Sequence, residues 1–147
     1  MQYLHDFRIG ETVALGEESL TDEEIRRFAE RYDPQPRYLD ERVADPLYGG
    51  PVASDWQLVA LGQSMLVKGL LNQTAHLGIP AVNEISFLKP VGPHSPVRAE
   101  LTIVNVEAPA EQPDRGRVSA EIELYDIENQ PVLRMVSLVV VAKKSRH

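Results

Sequence analysis

The sequence has no cysteine among its 147 residues. Disulfides, thiolate nucleophiles and thiolate metal sites are therefore excluded, and a reducing compartment is expected. Basic residues are also in deficit: 15 Lys and Arg stand against 22 Asp and Glu, giving a formal net charge of −7. A chain of that charge is not expected to bind nucleic acid phosphates.

Apolar runs and metal-ligand patterns are scarce as well. No apolar stretch approaches the roughly 20 residues that span a bilayer, and the first ten residues do not have the pattern of a secretory signal. The four histidines, His5, His76, His94 and His147, have no metal-ligand spacing, and no phosphate-binding or dinucleotide motif occurs. We therefore expect a cytoplasmic protein with no membrane partner, metal or cofactor.

The length and the 43% hydrophobic content predict a single domain over residues 1–147. Its first helix follows Thr21, which forms a capping box with Glu24. This helix should end before Pro34, because the residue preceding a proline is disfavoured in the α region. Apolar residues on one face of the helix follow the expected helical spacing: Ile25, Phe28, Ala29 and Tyr32.

A longer helix is predicted from Asp55 to about Leu71, with Ser54 and Gln57 as a second capping box. Its apolar residues cover most of its circumference, which is typical of a buried helix. They are Trp56, Leu58, Val59, Leu61, Met65, Leu66, Val67, Leu70 and Leu71. Gly62 inside the helix suggests that a strand approaches closely there.

The other segments are predicted to be strands. Residues 97–103 and 118–124 alternate between apolar and polar residues, so each has one buried face. Residues 132–142 are nearly continuously apolar, which predicts a strand covered on both sides. Further strands are expected at 12–20 and near 82–88, and Asn129 suits a turn that needs positive φ.

Together these elements predict an α+β fold in which a curved antiparallel sheet of about five strands wraps a long buried helix. Unpaired edge strands of such a sheet invite pairing with a second copy, so a homodimer or a higher oligomer is expected. This arrangement is the hotdog fold.

Three blocks occur in a familiar order: "FAERYDPQPRYLDE", "YGGPVASDW" at the start of the long helix, and "ISFLKPV". The chain thereby resembles the MaoC-like dehydratases, the hotdog (R)-specific enoyl-CoA hydratases, over roughly residues 7–140. The resemblance implies an acyl-thioester hydro-lyase of lipid metabolism that acts on acyl-CoA or a related carrier. The first block is the most specific, since the strands alone would fit any hotdog protein.

The resemblance also implies roles for individual residues. Asp33 matches the catalytic aspartate, which acts as base for the water, and Tyr38 stands where the family has its catalytic histidine. Gln35 belongs to the family's amide–proline pair. Ser54 and Asp55 stand where the family more often has a small residue and a glycine. Backbone N–H groups near Asp55 and Trp56 would bind the thioester oxygen, so Gln35, Ser54, Asp55 and Trp56 are the expected substrate-binding residues.

Two departures from the family pattern affect the chemistry. Tyrosine has a reference pKa of about 10, so Tyr38 would position a water or donate a proton rather than act as a base. An ionised Asp55 beside the thioester oxygen would oppose negative charge there, unless its side chain points away or caps its own helix.

Each of these residues also has a purely structural interpretation. Asp33 would cap the first helix or close the turn, and Tyr38 would pack against the sheet with its hydroxyl satisfied. Ser54 would be only an N-cap, and Trp56 would belong to the core. His94 would be a loop residue, or would replace the missing histidine if its loop reached the site.

Two other functions therefore stay open. The loss of the histidine favours a non-catalytic hotdog protein that binds acyl-CoA. A thioesterase is the third alternative, because hotdog proteins also include thioesterases, although the first motif speaks against it.

Overall fold

The computed structural model describes residues 1–42 and 50–145. Three α-helices and five strands make up its regular structure, with short 3₁₀ turns at Leu4–Asp6 and Leu71–Gln73. In chain order they are β1 (Thr12–Glu18), α1 (Asp22–Tyr32), α2 (Pro36–Leu39), α3 (Asp55–Gly69), β2 (His76–Phe87), β3 (Val97–Glu107), β4 (Arg115–Tyr125) and β5 (Pro131–Ala142).

The five strands form one antiparallel sheet in the order β1-β3-β4-β5-β2. The β3–β4 and β4–β5 pairs are hairpins, and Asn129 has the positive φ of 64° expected for the second turn. β1 and β2 are the two edges of this sheet. The central helix α3 packs on one face of the sheet, and the molecule has the predicted hotdog architecture.

The core lies between α3 and the inward-facing side chains of the sheet. Leu58, Met65 and Leu66 of the helix are buried there. They pack against alternate residues of β3, β4 and β5: Val97, Ala99, Leu101, Ile103, Ile122, Leu124, Leu133 and Met135. A Cβ at Gly62 would lie 3.2 Å from Met135 Cε, so the glycine does allow the close approach that was expected.

Two expectations about burial need correction. α3 is central, but Trp56 is 55% exposed and Ala60 and Lys68 are also exposed, because the sheet of a single chain covers one side of the helix only. Strand β5 alternates between buried and half-buried residues instead of being covered on both faces. The apolar side chains on its outer face are Val136, Leu138 and Val140.

The secondary structure differs from expectation in two places. β2 begins at His76 rather than near Val82, and two shifts of register against β5 accommodate Gly78 and Pro80, residues that usually interrupt strands. The loop after α1 contains the short helix α2, which starts at Pro36, where a missing N–H costs nothing. The capping box of Thr21 and Glu24 is present as predicted.

We predict that Gly116→Ala destabilises the protein by about 2 kcal/mol. A Cβ at this position would lie 2.3 Å from the Glu107 carbonyl oxygen and 2.5 Å from Leu4 Cδ2, so the backbone of β3 would have to move. Gly92→Ala is the matched control, since a Cβ there would meet only Ser95 Oγ at 3.8 Å. Urea unfolding measures both variants, and equal midpoints would contradict the prediction.

Candidate active site

The end of α1 places the first candidate residue. Asp33 is the C-cap of this helix, and its backbone N–H donates to the Ala29 carbonyl at 3.0 Å. The next turn is closed by Gln35, whose backbone N–H donates to the Asp33 carbonyl at 2.7 Å. The Gln35 side chain also donates from Nε2 to Asp33 Oδ1 at 2.7 Å. The amide of the amide–proline pair therefore orients the carboxylate.

Ser54 connects this loop to α3. It is fully buried, and its hydroxyl donates to Asp33 Oδ2 at 2.7 Å while accepting from the Trp56 backbone N–H at 3.2 Å. Ser54 is thus the N-cap of α3, as predicted. The expected capping box does not form, because the Gln57 side chain instead donates to the Glu24 carbonyl at 3.0 Å and ties α3 to α1.

Tyr38 lies on the short helix α2, which follows Asp33 and Gln35 in the chain. It is 3% exposed and packs with Ala29 and Val52. The Arg37 guanidinium carbon lies 5.0 Å from the centre of its ring, a cation–π distance. The structure therefore turns the Tyr38 ring into a small core between α1 and α2.

The Tyr38 hydroxyl reaches the start of α3, where it accepts a hydrogen bond from the Asp55 backbone. Burial raises the pKa of Tyr38 above its ordinary value, and the Asp55 carboxylate raises it further, while Arg37 opposes these effects. Tyr38 is therefore a neutral phenol at neutral pH, able to donate a proton.

Asp55 is the first residue of α3 and is half-buried. Burial raises the pKa of its carboxyl group, and the charge of Asp33 raises it further, while the charge of Arg37 acts in the opposite direction. The charges of two carboxyl groups, Asp55 and Asp33, and of the Arg37 guanidinium therefore all act on the pKa of Tyr38.

The two backbone donors expected to hold a thioester oxygen are both engaged within the chain. The Trp56 N–H donates to the Ser54 hydroxyl, and the Asp55 backbone is hydrogen-bonded to Tyr38. A ligand oxygen at this helix terminus would have to exchange with one of these hydroxyl groups. The Ser54 contact, at 3.2 Å, is at the long end of the hydrogen-bond range.

Side-chain hydrogen bonds thus join three predicted residues, Asp33, Gln35 and Ser54, and the Tyr38 hydroxyl is bonded to the Asp55 backbone at the same helix start. The Trp56 side chain points elsewhere. It packs edge to face against Phe87 of β2, with 5.6 Å between ring centres, and both rings are largely exposed.

His94 lies away from this cluster. Its backbone N–H donates to the Leu20 carbonyl, and its imidazole Nε2 lies 3.5 Å from Asp22 Oδ2. Asp22 begins α1, whereas Asp33 lies at the other end of that helix. It is a loop residue with a positive φ of 59°. Arg37 is the residue that the sequence analysis missed, and its position next to Tyr38 was the available signal.

The described ranges, 1–42 and 50–145, contain no group of three or more His, Cys, Asp or Glu side chains that could hold a metal ion. They also contain no helix that is long and apolar enough to cross a membrane.

No protein-family model matches the chain. A curated relative, the uncharacterised protein YdeM of Bacillus subtilis, is 26% identical over 133 residues, which cover 90% of this chain and 91% of the relative.

The MaoC-like dehydratase from Rhodospirillum rubrum superposes with a TM-score of 0.88 at 27% identity, covering 99% of this chain and 100% of that one. The (R)-hydratase from A. caviae involved in PHA biosynthesis has a TM-score of 0.70 at 19% identity, covering 90% and 96% of the two chains. At 19% identity, the similarity to the (R)-hydratase is evidence for a shared fold alone.

Proposed function

Since the chain is a MaoC-like hotdog protein, we propose that it is an acyl-thioester hydro-lyase, which adds water across a trans-2-enoyl thioester or removes it in reverse. The observation that carries this proposal is the 2.7 Å hydrogen bond from Ser54 to Asp33. It holds the acid of the loop against the N-terminus of α3, where negative charge on a thioester oxygen would be favoured.

Asp33 is the proposed base. Each of its carboxylate oxygens accepts one hydrogen bond, from Gln35 to Oδ1 and from Ser54 to Oδ2. A carboxylate has about four lone-pair positions, so both oxygens can still accept from a water. Removal of a proton from that water lets its oxygen attack the β-carbon of the enoyl group.

Tyr38 is proposed to position this water as a neutral donor. Its oxygen already accepts a hydrogen bond from the Asp55 backbone, so its O–H is left to donate. Its raised pKa excludes a role as general base at neutral pH, unlike the imidazole that the family has here. The thioester oxygen would take the Trp56 N–H in exchange for the Ser54 hydroxyl.

The substrate proposed is an acyl-CoA or a related acyl thioester. The exposed Trp56 and Phe87 rings offer apolar surface on the side of α3 that the sheet leaves uncovered. Sites for such ligands are mostly apolar with a few directed polar groups.

A non-catalytic acyl-CoA-binding protein is the second candidate. The observation in its favour is that Tyr38 is 3% exposed and that its hydroxyl bonds to the Asp55 backbone. In this alternative Tyr38 only packs in the core, and Asp33 only caps helix α1.

The proposed assembly is a homodimer formed through β2. This edge strand has no partner on its outer side within the described residues, and most of its side chains are exposed. Leu77, Val82 and Phe87 are exposed apolar residues along it, and the exposed Trp56 of α3 adjoins its end. A second copy would cover this apolar surface and satisfy the free edge.

We predict that the purified protein hydrates trans-2-enoyl-CoA substrates and that Asp33→Asn lowers kcat by about 10² to 10⁴-fold, because the base is lost. Loss of the conjugated thioester absorbance measures turnover over a panel of chain lengths. Glu30→Gln is the control, since it removes an exposed carboxylate from the last turn of α1 and should leave the rate unchanged.

Three results would contradict the hydro-lyase proposal. One is the absence of turnover on every chain length with calorimetric binding of acyl-CoA retained, which supports the binding protein. Another is release of free thiol without hydration, which supports a thioesterase. The third is an Asp33→Asn variant as active as the wild-type protein.

We predict that Tyr38→His raises the hydration rate, because an imidazole is the better base at neutral pH. Tyr38→Phe should lower it, since the ring packing is kept while the donor that positions the water is removed. Thermal unfolding of both variants separates the chemical effect from lost stability. If the two variants have equal rates, Tyr38 has no chemical role.

We predict that Val82→Lys converts a dimer of 16.4 kDa chains into monomers by placing a charge on the β2 surface. Size-exclusion chromatography with light scattering measures the mass. Val104→Lys on β3 is the control, because Val104 is 39% exposed against 42% for Val82. A monomeric wild-type protein, or dissociation by both substitutions, would refute the β2 interface.

A further inference from the structure

The proposed mechanism gives no task to the Asp55 carboxyl. It begins α3, directly after Ser54, whose hydroxyl holds the proposed base. This carboxyl is half-buried, and burial and the charges of Arg37 and Asp33, with no hydrogen bond among the described residues, account for its raised pKa. A carboxyl group in partial burial without a partner is costly when ionised and is available to a ligand.

The charged and titratable groups facing Asp55 come from the α1 end and from α2. Asp33 lies close enough to raise the pKa of Asp55, which burial has already raised, and Arg37 opposes the shift. Asp55 in turn contributes to the raised pKa of Tyr38. Two carboxyl groups in different environments, one held by donors and one without any, are the arrangement expected of an acid–base pair.

We propose that Asp55 is the second acid–base group of the reaction and that it exchanges the proton at the α-carbon of the acyl thioester. This inference rests on the proposed hydro-lyase function. The two departures from the family pattern then compensate each other: position 38 lost an imidazole, and position 55 gained a carboxyl group.

The proton balance of the step closes without any further reactant. In hydration, Asp33 takes a proton from water, the water oxygen bonds to the β-carbon, and the double-bond electron pair moves toward the thioester. The protonated Asp55 then gives its proton to the α-carbon and becomes a carboxylate. A proton then passes from Asp33 to Asp55 through solvent, which restores both groups, and the reverse sequence removes water.

This role also removes the conflict expected from an acid at the thioester oxygen. A protonated Asp55 carries no charge to oppose the developing negative charge on that oxygen. When it releases its proton, the resulting carboxylate lies in the first turn of α3, where the helix dipole stabilises an anion.

Asp55→Asn tests the proposal, because the amide keeps the size of the side chain and cannot donate a proton to carbon. We expect kcat for enoyl-CoA hydration to fall by about 10² to 10⁴-fold, with KM changed by less than about threefold. Asp22→Asn is the matched control: Asp22 is likewise the first residue of its helix, and the variant should retain wild-type kcat. Asp55→Glu should recover part of the lost rate.

A double variant separates chemistry from folding. With the imidazole restored in Tyr38→His, the further change Asp55→Gly should cost less than about threefold, whereas Asp55→Gly alone should match Asp55→Asn. Such non-additivity is expected only if positions 38 and 55 share one task.

The outcomes for Asp55 and for the function as a whole are distinguishable. Wild-type turnover that survives Asp55→Asn overturns the role of Asp55 and leaves the hydro-lyase in place. Equal losses from Asp55→Gly in both backgrounds also overturn it, since they indicate a structural effect. A wild-type protein inactive on the whole substrate panel overturns both proposals.

Discussion

The hydrogen bond between the buried Ser54 hydroxyl and Asp33 is the constraint that organises this corner of the molecule. It joins residues 21 positions apart and fixes the end of α1 against the start of α3. Because the hydroxyl also accepts from the Trp56 N–H, one small side chain caps the helix and orients the carboxylate. Gln57 is then released from capping and ties the two helices together through Glu24.

The positions of Tyr38 and Asp55 depend on the hydrogen bond between Ser54 and Asp33. With the helix start held in place, the Tyr38 hydroxyl can accept from the Asp55 backbone, and the tyrosine ring fills the space between α1 and α2. Burial acts most strongly on the pKa of Asp55, and the charges of Arg37 and Asp33 act on it in opposite directions. For both Tyr38 and Asp55, burial therefore shifts the pKa more than the neighbouring charges do.

Local patterns were sufficient for most of the fold. The Thr21 capping box, the alternation in β3 and β4, and the turn at Asn129 each depend on contacts within a few residues, and all three were predicted. The early start of β2 was not, because Gly78 and Pro80 are tolerated through shifts in pairing with β5, a strand more than fifty residues later in the chain. Exposure of Trp56 likewise depends on how far one sheet can reach around a helix.

The site shows the same division between local and distant information. The resemblance placed Asp33, Gln35 and Ser54 at one location, but the hydrogen bond between Asp33 and Ser54 depends on the full packing of α1 against α3. A serine that precedes a helix predicts an N-cap in either case, whether or not its hydroxyl also donates to a carboxylate far away in the sequence. The same packing buries Tyr38 and leaves the Asp55 carboxyl without a hydrogen bond among the residues that the structure describes. The burial, the hydrogen bonding and the pKa of both residues therefore depend on tertiary contacts. A family motif specifies only residue types at fixed spacing, so these properties cannot be predicted from it.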